Sequence, residues 1–537
     1  MKRGFLSIFI AIALLTACFG AVGHAAPVGA PIVLTAAISD NTKVEDYNKN
    51  EVTLYLEQTL GVDIQYNVYA STDYADKMQL KVAGGDKLED FIFGGFSDVQ
   101  VYNWAQEGAI TGLKELYASE QTAPNIYQAM ERVGYDFRGS ITMPDGEIYY
   151  IPTLNQSYGN ECSAKVWYYE PWLTQLDISA PTTTAEFEEL LKKIKTSDLN
   201  GNGVSDEVGL AGYGGIGGQW FNYLMNSFVY TDSSNMYMKV SDKELSFSFT
   251  ETAWRDGIEW IASLVKEGLI PTETITQDNA AFQTMINTSD VTAFTFGFST
   301  PSPITDVGVK SVYKALAPLI GPNQVQYATV NPSKASCAMI ISADCEHVAA
   351  AFSVGDLMVS EELSIATRFG ARYADWDYLS DLDNASDYIS PYPGFDAYIV
   401  VYNDATFWGS GAPQNRSYMQ NGPFIRQYGI ANGMGINPAT VSPFSVNEAT
   451  GISLYQQGGY FPDEKIVKLI YTEDEASVIQ SLSSTISTFV SETNANWLLG
   501  NTLLDDASWD QFLNTIDSIG AYDYLKCAQD AYNRSIQ

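Results

Sequence analysis

The ten residues Asp198-Leu199-Asn200-Gly201-Asn202-Gly203-Val204-Ser205-Asp206-Glu207 set oxygen donors at alternate positions of one short loop. Carboxylate or amide oxygens stand at loop positions 1, 3 and 5 (Asp198, Asn200, Asn202), and Gly203 at position 6 permits a sharp turn. Val204 can offer its backbone carbonyl at position 7, and the carboxylates of Asp206 and Glu207 follow. A hard cation such as Ca²⁺ takes about six to eight oxygens at roughly 2.3–2.6 Å, which this set suits. The first half matches the EF-hand pattern. Position 12 is Gly209, so the bidentate Glu of that pattern is missing and Asp206 with Glu207 must replace it. An ordinary Gly/Asn turn with solvated acids is the alternative; the alternation of oxygens together with Gly203 favours calcium. No catalytic group stands nearby in sequence, so the expected job of the ion is to pin a loop.

Other chemistry is thinly provided. The chain holds two histidines, His24 and His347. Ser-His-Asp triads, Cys-His pairs and His-ligated zinc all need imidazole and are disfavoured. Carboxylate-only chemistry, as in glycosidases, passes this filter, but no paired-carboxylate motif stands out. Twenty-nine basic against 64 acidic residues give a net charge of −35. Such a field repels nucleic acid and anionic lipid and weakly disfavours a polyanionic ligand, although local charge in a cleft could reverse the last effect. Besides Cys18 there are Cys162, Cys337, Cys345 and Cys527, too few for a disulfide framework, and free buried thiols are expected.

The N-terminus reads as an export signal over residues 1–17: Lys2 and Arg3 precede the apolar run Phe5–Leu15. Leu15-Thr16-Ala17-Cys18 fits a lipoprotein cleavage box, which would leave Cys18 carrying lipid and residues 18–31 as a tether. Cleavage after Gly23-His24-Ala25 is the competing reading. No later segment approaches the ~18 apolar residues of a membrane span, so the expected membrane link is the lipid alone.

The elements that must position these groups come from periodicity. Pro31–Ser39 and Val62–Val68 read as strands, Val44–Thr59 and Tyr74–Val82 as helices, and Phe91–Phe96 as a buried strand running into glycines. Strands alternating with helices imply an α/β chain with mostly parallel, doubly wound sheets. Ligands in such sheets sit off the strand carboxyl ends, which makes Gly94-Gly95-Phe96-Ser97-Asp98 a candidate site loop. Thr183 and Glu186 fit a capping box that opens a helix to Lys195. Thr292–Phe298 and Ser336–Ser342 read as further strands, and Glu473–Thr493 and Trp509–Ala531 as helices. The chain is too long for one core. The expected division is lobe 1 over 32–152, lobe 2 over 153–325, a return to lobe 1 over 326–395, and lobe 2 with C-terminal helices over 396–537.

Aromatics make up 13% of the chain, with 34 Tyr and 10 Trp. Their apolar faces stack on sugar C–H faces, and nearby polar groups can hold hydroxyls. The candidate ligand residues are Trp167, Trp220, Phe296, Phe298, Trp376, Tyr378 and Trp408, with Asp98 and Asp377 as hydroxyl acceptors. For each aromatic the alternative is lobe core, and for the two acids it is helix capping.

Several runs together resemble family 1 of the extracellular solute-binding proteins of ABC importers, in particular the calcium-containing branch that includes the alginate-binding proteins. The runs are FIFGGFSDVQVYNWAQEGAITGL (Phe91–Leu113), EIYYIP (Glu147–Pro152), VWYYEPWLTQLDISAPTTTAEF (Val166–Phe187), DLNGNGVSDE, RFGARYADWDY (Arg368–Tyr378) and WDQFLNTIDSIGAYDYLKCAQDAY (Trp509–Tyr532). The resemblance implies a bilobal type II binding-protein fold, two lobes joined by a hinge with sugar held between them. It also implies a structural Ca²⁺ on Asp198, Asn200, Asn202, the Val204 carbonyl, Asp206 and Glu207. The implied function is that of a monomeric, lipid-anchored receptor on the outer face of the cytoplasmic membrane. It would hand an oligosaccharide to an ABC permease, without chemistry of its own. A carboxylate glycosidase, a surface adhesin, or a receptor for peptides or another solute are the alternatives. The chain departs from the family at Leu88-Glu89-Asp90, where a Pro usually precedes the acid, and over residues 379–470, where ligand specificity would lie.

Overall fold

The computed structural model describes residues 31–288, 292–297, 303–402, 412–441 and 443–536. The signal segment with Cys18, and the candidate residues Phe298 and Trp408, lie outside them. Two compact units form. Unit 1 takes the chain up to Ser157, Ser333–Ser390 and Gly394–Pro438; unit 2 takes Tyr158–Pro332, Pro391–Pro393 and the chain from Ala439 onward.

The described strands are β1 (Ile32–Ser39), β2 (Val62–Tyr69), β3 (Phe91–Phe93), β4 (Tyr150–Asn155), β5 (Lys165–Tyr169), β6 (Met238–Ser241) and β7 (Glu244–Phe247). They continue with β8 (Phe294–Gly297), β9 (Tyr313–Leu316), β10 (Ser336–Ile341), β11 (Trp376–Tyr378), β12 (Ile399–Val401) and β13 (Phe424–Arg426).

Unit 1 is built on a six-stranded sheet in the order β13-β4-β10-β3-β1-β2. All neighbours are parallel except β10, which is antiparallel to both β3 and β4. Central strand β1 buries Leu34, Ala36, Ala37 and Ile38, whereas edge strand β2 buries only Val62, Ile64 and Tyr66 and turns Gln65 and Asn67 to solvent. That contrast is the difference between a strand covered on both faces and one covered on one. The helix expected over 44–59 forms as Glu51–Leu60, because Asn50 caps it: its side chain accepts from the Val52 N–H.

Unit 2 holds the antiparallel sheet β8-β5-β9, the hairpin β6–β7, and a helical core. Among the described strands, parallel pairing occurs in the unit 1 sheet, and unit 2 has isolated parallel bridges at Thr183↔Ile320 and Leu210↔Phe294. Helix Thr252–Lys266 packs its Trp254 among Phe221, Tyr237 and Phe249, and the Trp254 Nε1–H donates to Asn494 Oδ1 of the helix Glu473–Leu498 at 2.9 Å. The helical run expected over Trp509–Ala531 is two helices, Asp506–Ser518 and Ala521–Ser535. Gly520, at φ 85°, breaks it in a left-handed conformation that glycine adopts without cost. Among the described residues no helix is long and apolar enough to cross a membrane. Cys162, Cys345 and Cys527 are free thiols.

The crossings fall within a few residues of the expected ones, at Ser157 and Ser333, but Gly394–Pro438, expected from residue 396 onward in lobe 2, belongs to unit 1. The cause is β13, which pairs in parallel with β4 from Phe424↔Thr153 to Arg426↔Asn155.

The Trp254–Asn494 contact ties the C-terminal helices into unit 2. Both side chains are fully buried, so Trp254→Phe would strand an amide oxygen in the core and lose about 2 kcal/mol of stability. Chemical denaturation should show a lower midpoint; an unchanged midpoint would mean that the long C-terminal helix does not dock there.

Candidate functional site

The oxygen-rich loop lies in unit 2 and is fixed at both ends by packing. Helix Thr184–Lys195 opens with the Thr183/Glu186 capping box and buries Phe187, Leu190, Leu191 and Ile194. It delivers Leu199 into the same core. On the far side, the Val208 and Gly209 carbonyls accept from the Ala293 and Phe294 N–H groups at 3.0 and 2.9 Å, so the exit is laid against β8. Gly209 sits under Leu191: a Cβ there would come within 2.6 Å of Leu191 Cδ2. Any side chain at the twelfth position would thus require Leu191 to shift.

Between these anchors the loop folds on its own oxygens. Asp198 Oδ1 and Oδ2 accept from the Gly201 and Gly203 N–H groups at 2.8 and 2.9 Å. Asn200 Oδ1 accepts from Asn202 N–H and Asn202 Oδ1 from Val204 N–H, at 2.9 and 2.7 Å. Gly201 and Gly203 take φ of 76° and 88°. The Asp206 carboxylate accepts from the Asn202 amide at 3.1 Å. Glu207 alone is enclosed, at 6% exposure. Its Oε1 accepts from the Leu199 and Asn200 N–H groups, while Oε2 is buried without a hydrogen-bond partner. A buried carboxylate oxygen with nothing to accept from is costly, and a cation is the partner it fits. Among the described residues no three His, Cys, Asp or Glu side chains converge as a metal site. An ion here would therefore depend on Asn200, Asn202 and the Val204 carbonyl beside the acids.

The candidate ligand residues are dispersed. In unit 1, Asp98 starts the helix Asp98–Gln106 just after β3, where Ser97 and Gln100 form a capping box. Asp98 Oδ1 accepts from the Tyr150 hydroxyl at 2.9 Å. Burial, then the Asp98 charge, hold the Tyr150 phenol well above its usual pKa, so it stays a donor. Trp376 is fully buried, and its Nε1–H donates to the Gly370 carbonyl at 2.8 Å. The Asp377 carboxylate is taken by Arg372, at 3.1 Å from its Nε. Half-buried Tyr378 meets the Trp376 ring edge-on at 5.2 Å and carries the Arg372 guanidinium over its face at 4.6 Å. In unit 2, Trp220 lies in the main core with Gly212 and Gly218 against its indole, and Phe296 lies in the same core. Trp167 packs in a separate cluster with Phe282 and Tyr313. Trp167, Trp220 and Trp376 are thus buried in packing clusters, and Asp377 is ion-paired. Gly212 and Gly218 let the backbone approach the Trp220 ring.

One cluster was missed. At the carboxyl ends of β4 and β13, Asn155 Oδ1, Arg426 Nε and Gln427 Oε1 are all buried without a hydrogen-bond partner. Arg426 stands in Pro423-Phe424-Ile425-Arg426-Gln427, and an arginine at the end of an apolar run was its one signal in the sequence.

Residues 41–363 match the family described as bacterial extracellular solute-binding protein. A curated relative, the fructooligosaccharide ABC transporter substrate-binding protein FusA of Streptococcus pneumoniae serotype 4, is 23% identical over 503 residues, covering 91% of this chain and 88% of its own. The crystal structure of a FusA EF-hand mutant in complex with fructo-nystose has a TM-score of 0.67 at 20% identity, over 94% of this chain and 99% of that one. A solute-binding protein of Bifidobacterium longum infantis described as binding HMO has a TM-score of 0.74 at 18% identity, over 94% and 99%. Alginate-binding AlgQ2, solved without calcium ion, has a TM-score of 0.61 at 19% identity, over 94% and 98%. The chain is α/β in two units with the fold of these binding proteins, and it belongs to the bacterial extracellular solute-binding proteins.

Proposed function

We propose that this protein is the substrate-binding component of an ABC importer, which captures an oligosaccharide outside the membrane and delivers it to the permease without altering it. The observation that carries the reading is the match to FusA across nine-tenths of both chains, order of elements included. Named relatives with the same fold bind fructooligosaccharide or HMO. The scarcity of histidine disfavours triad hydrolysis, and no paired-carboxylate motif stands out for glycoside hydrolysis. Leu15-Thr16-Ala17-Cys18 supports export followed by lipid attachment at Cys18, which would hold a monomeric receptor at the outer face of the cytoplasmic membrane.

Asp98 is the retained candidate for a sugar hydroxyl, because it is half-buried on the strand-carboxyl side of the unit 1 sheet, where ligands of α/β proteins sit. Tyr378 and Phe296 are retained as candidates of lower access. Calorimetry of the mature protein against a panel of oligosaccharides should show saturable binding, with no sugar release on prolonged incubation. Silence across glycans with a clear response to peptides would assign another ligand class.

Ca²⁺ in the loop of Asp198, Asn200, Asn202, Val204, Asp206 and Glu207 is the second part of the proposal. The all-oxygen donor set suits a hard cation, the stranded Glu207 Oε2 supports it, and the FusA EF-hand mutant shows that a relative carries a comparable element. Such an ion would stiffen the connection between helix Thr184–Lys195 and β8. At a hundred times its Kd it would add about 2.7 kcal/mol of stability. Chelation should therefore lower the melting temperature, and Glu207→Gln should abolish the difference between calcium and chelator. Equal melting in both conditions would make the loop an ordinary turn.

A further inference from the structure

Arg426 ends β13 and is 4% exposed. Its Nη2 donates to Gln420 Oε1, and its guanidinium lies 4.4 Å from the centre of the Phe424 ring. Neither partner carries charge. Among the described residues no carboxylate pairs with it, and the charged group that acts on it is Arg368, of the same sign. Burial, then Arg368, press its pKa well below the usual arginine value, yet a guanidinium gives up its proton with great reluctance. A buried cation without a counter-ion is among the costlier arrangements in a protein interior.

The surroundings resemble a prepared site more than a packing fault. Arg426 is the register partner of Asn155, so both stand at strand carboxyl ends, where α/β sheets hold their ligands. Asn155 Oδ1, on the register partner of Arg426, is a buried acceptor without a donor, and Arg426 Nε is a buried donor without an acceptor. Gln420, which meets the guanidinium, has φ 66°, and Met419 before it has φ 53°, both uncommon for side-chain-bearing residues. The Gln420 N–H bond to the Thr367 carbonyl at 2.9 Å holds that conformation in place. Backbone strain of this kind is found at ligand clamps.

The geometry points to the carboxyl ends of β4 and β13 as an anion subsite, where Arg426 takes the carboxylate of an acidic oligosaccharide while Asn155 accepts from a hydroxyl. This rests on the oligosaccharide-receptor reading and narrows its ligand to carboxylated sugars. A carboxylate supplies both the missing charge and an acceptor for Nε, and its pairing with a guanidinium is strong and directional. The negative field of the rest of the chain opposes such a ligand at long range, so the subsite must act at contact distance.

Calorimetry of the mature protein against neutral and carboxylated oligosaccharides of matched length and linkage tests this, at low and high salt. The carboxylated member should bind about ten-fold tighter or more. Arg426→Gln should bring the ratio of the two affinities toward one, and Arg426→Lys should keep part of it. If Arg426→Gln does not fold, the wild-type ratio and the weakening of only the carboxylated ligand by salt still decide. A wild-type ratio near one, with clear binding of neutral sugars, overturns the subsite and leaves the receptor reading standing. A ratio unchanged in folded Arg426→Gln overturns it too. Binding of neither sugar overturns the receptor reading and the subsite with it.

Discussion

The antiparallel insertion of β10 between β3 and β4 is the constraint on which unit 1 rests. The chain leaves unit 1 after Ser157, builds most of unit 2, and must come back at Ser333 to complete a sheet that it left open. Strand β10 pairs Met339 with Phe93 on one side and with Ile151 on the other. Because it opposes both neighbours, β3 and β4 run in the same direction and their carboxyl ends reach the same edge. The loop that carries Asp98 and the Asn155–Arg426 pair are thereby collected on one side of the sheet. Strand β13 extends this from still farther along the chain. Closing such long loops has an entropic cost before any contact is made, and the nearly complete burial of Cys337–Ile341 offsets it.

Where a local pattern decided the structure, it was readable. The continuous apolar run of β1, the alternation of β2, the Thr183/Glu186 box and the helix face of Phe187, Leu190, Leu191 and Ile194 all depend on near neighbours in the chain. Tertiary closeness was not readable. The break at Gly520 interrupts a helical period that continues on both sides, so pattern alone runs through it. Composition could say that aromatics are abundant, but not that Trp220 and Trp376 face inward, because stacking on sugar and packing in a core call for the same residue types. Arg426 lay in the stretch of weakest pattern, and its significance depends on what stands beside it.

The oxygen-rich loop shows how the two kinds of information combine. Its donor spacing can be read from ten residues, whereas the reason its twelfth position is glycine cannot. That position lies beneath Leu191 of the helix that delivers the loop, and any side chain there would require Leu191 to shift. The enclosed carboxylate moves two residues earlier, to Glu207, whose Oε1 is spent on the backbone of Leu199 and Asn200 and whose Oε2 is stranded. Glu207 thus acts as a backbone clamp with one oxygen and leaves the other buried without a partner.

The same reasoning applies, with the sign reversed, to Arg426. The chain carries 64 acidic side chains, and other buried or half-buried arginines of unit 1 use some of them: Arg372 meets Asp377 and Arg416 meets Asp375. Arg426 is given instead a neutral amide, an aromatic face and a like-charged neighbour. Supplying a carboxylate would have been easy in so acidic a chain, and it would have made the site self-sufficient. A cation left uncompensated beside an unsatisfied acceptor lowers the stability of the empty protein and raises its affinity for whatever brings the missing charge. Binding proteins can tolerate that exchange because their task is performed in the liganded state, where the unpaired groups find partners.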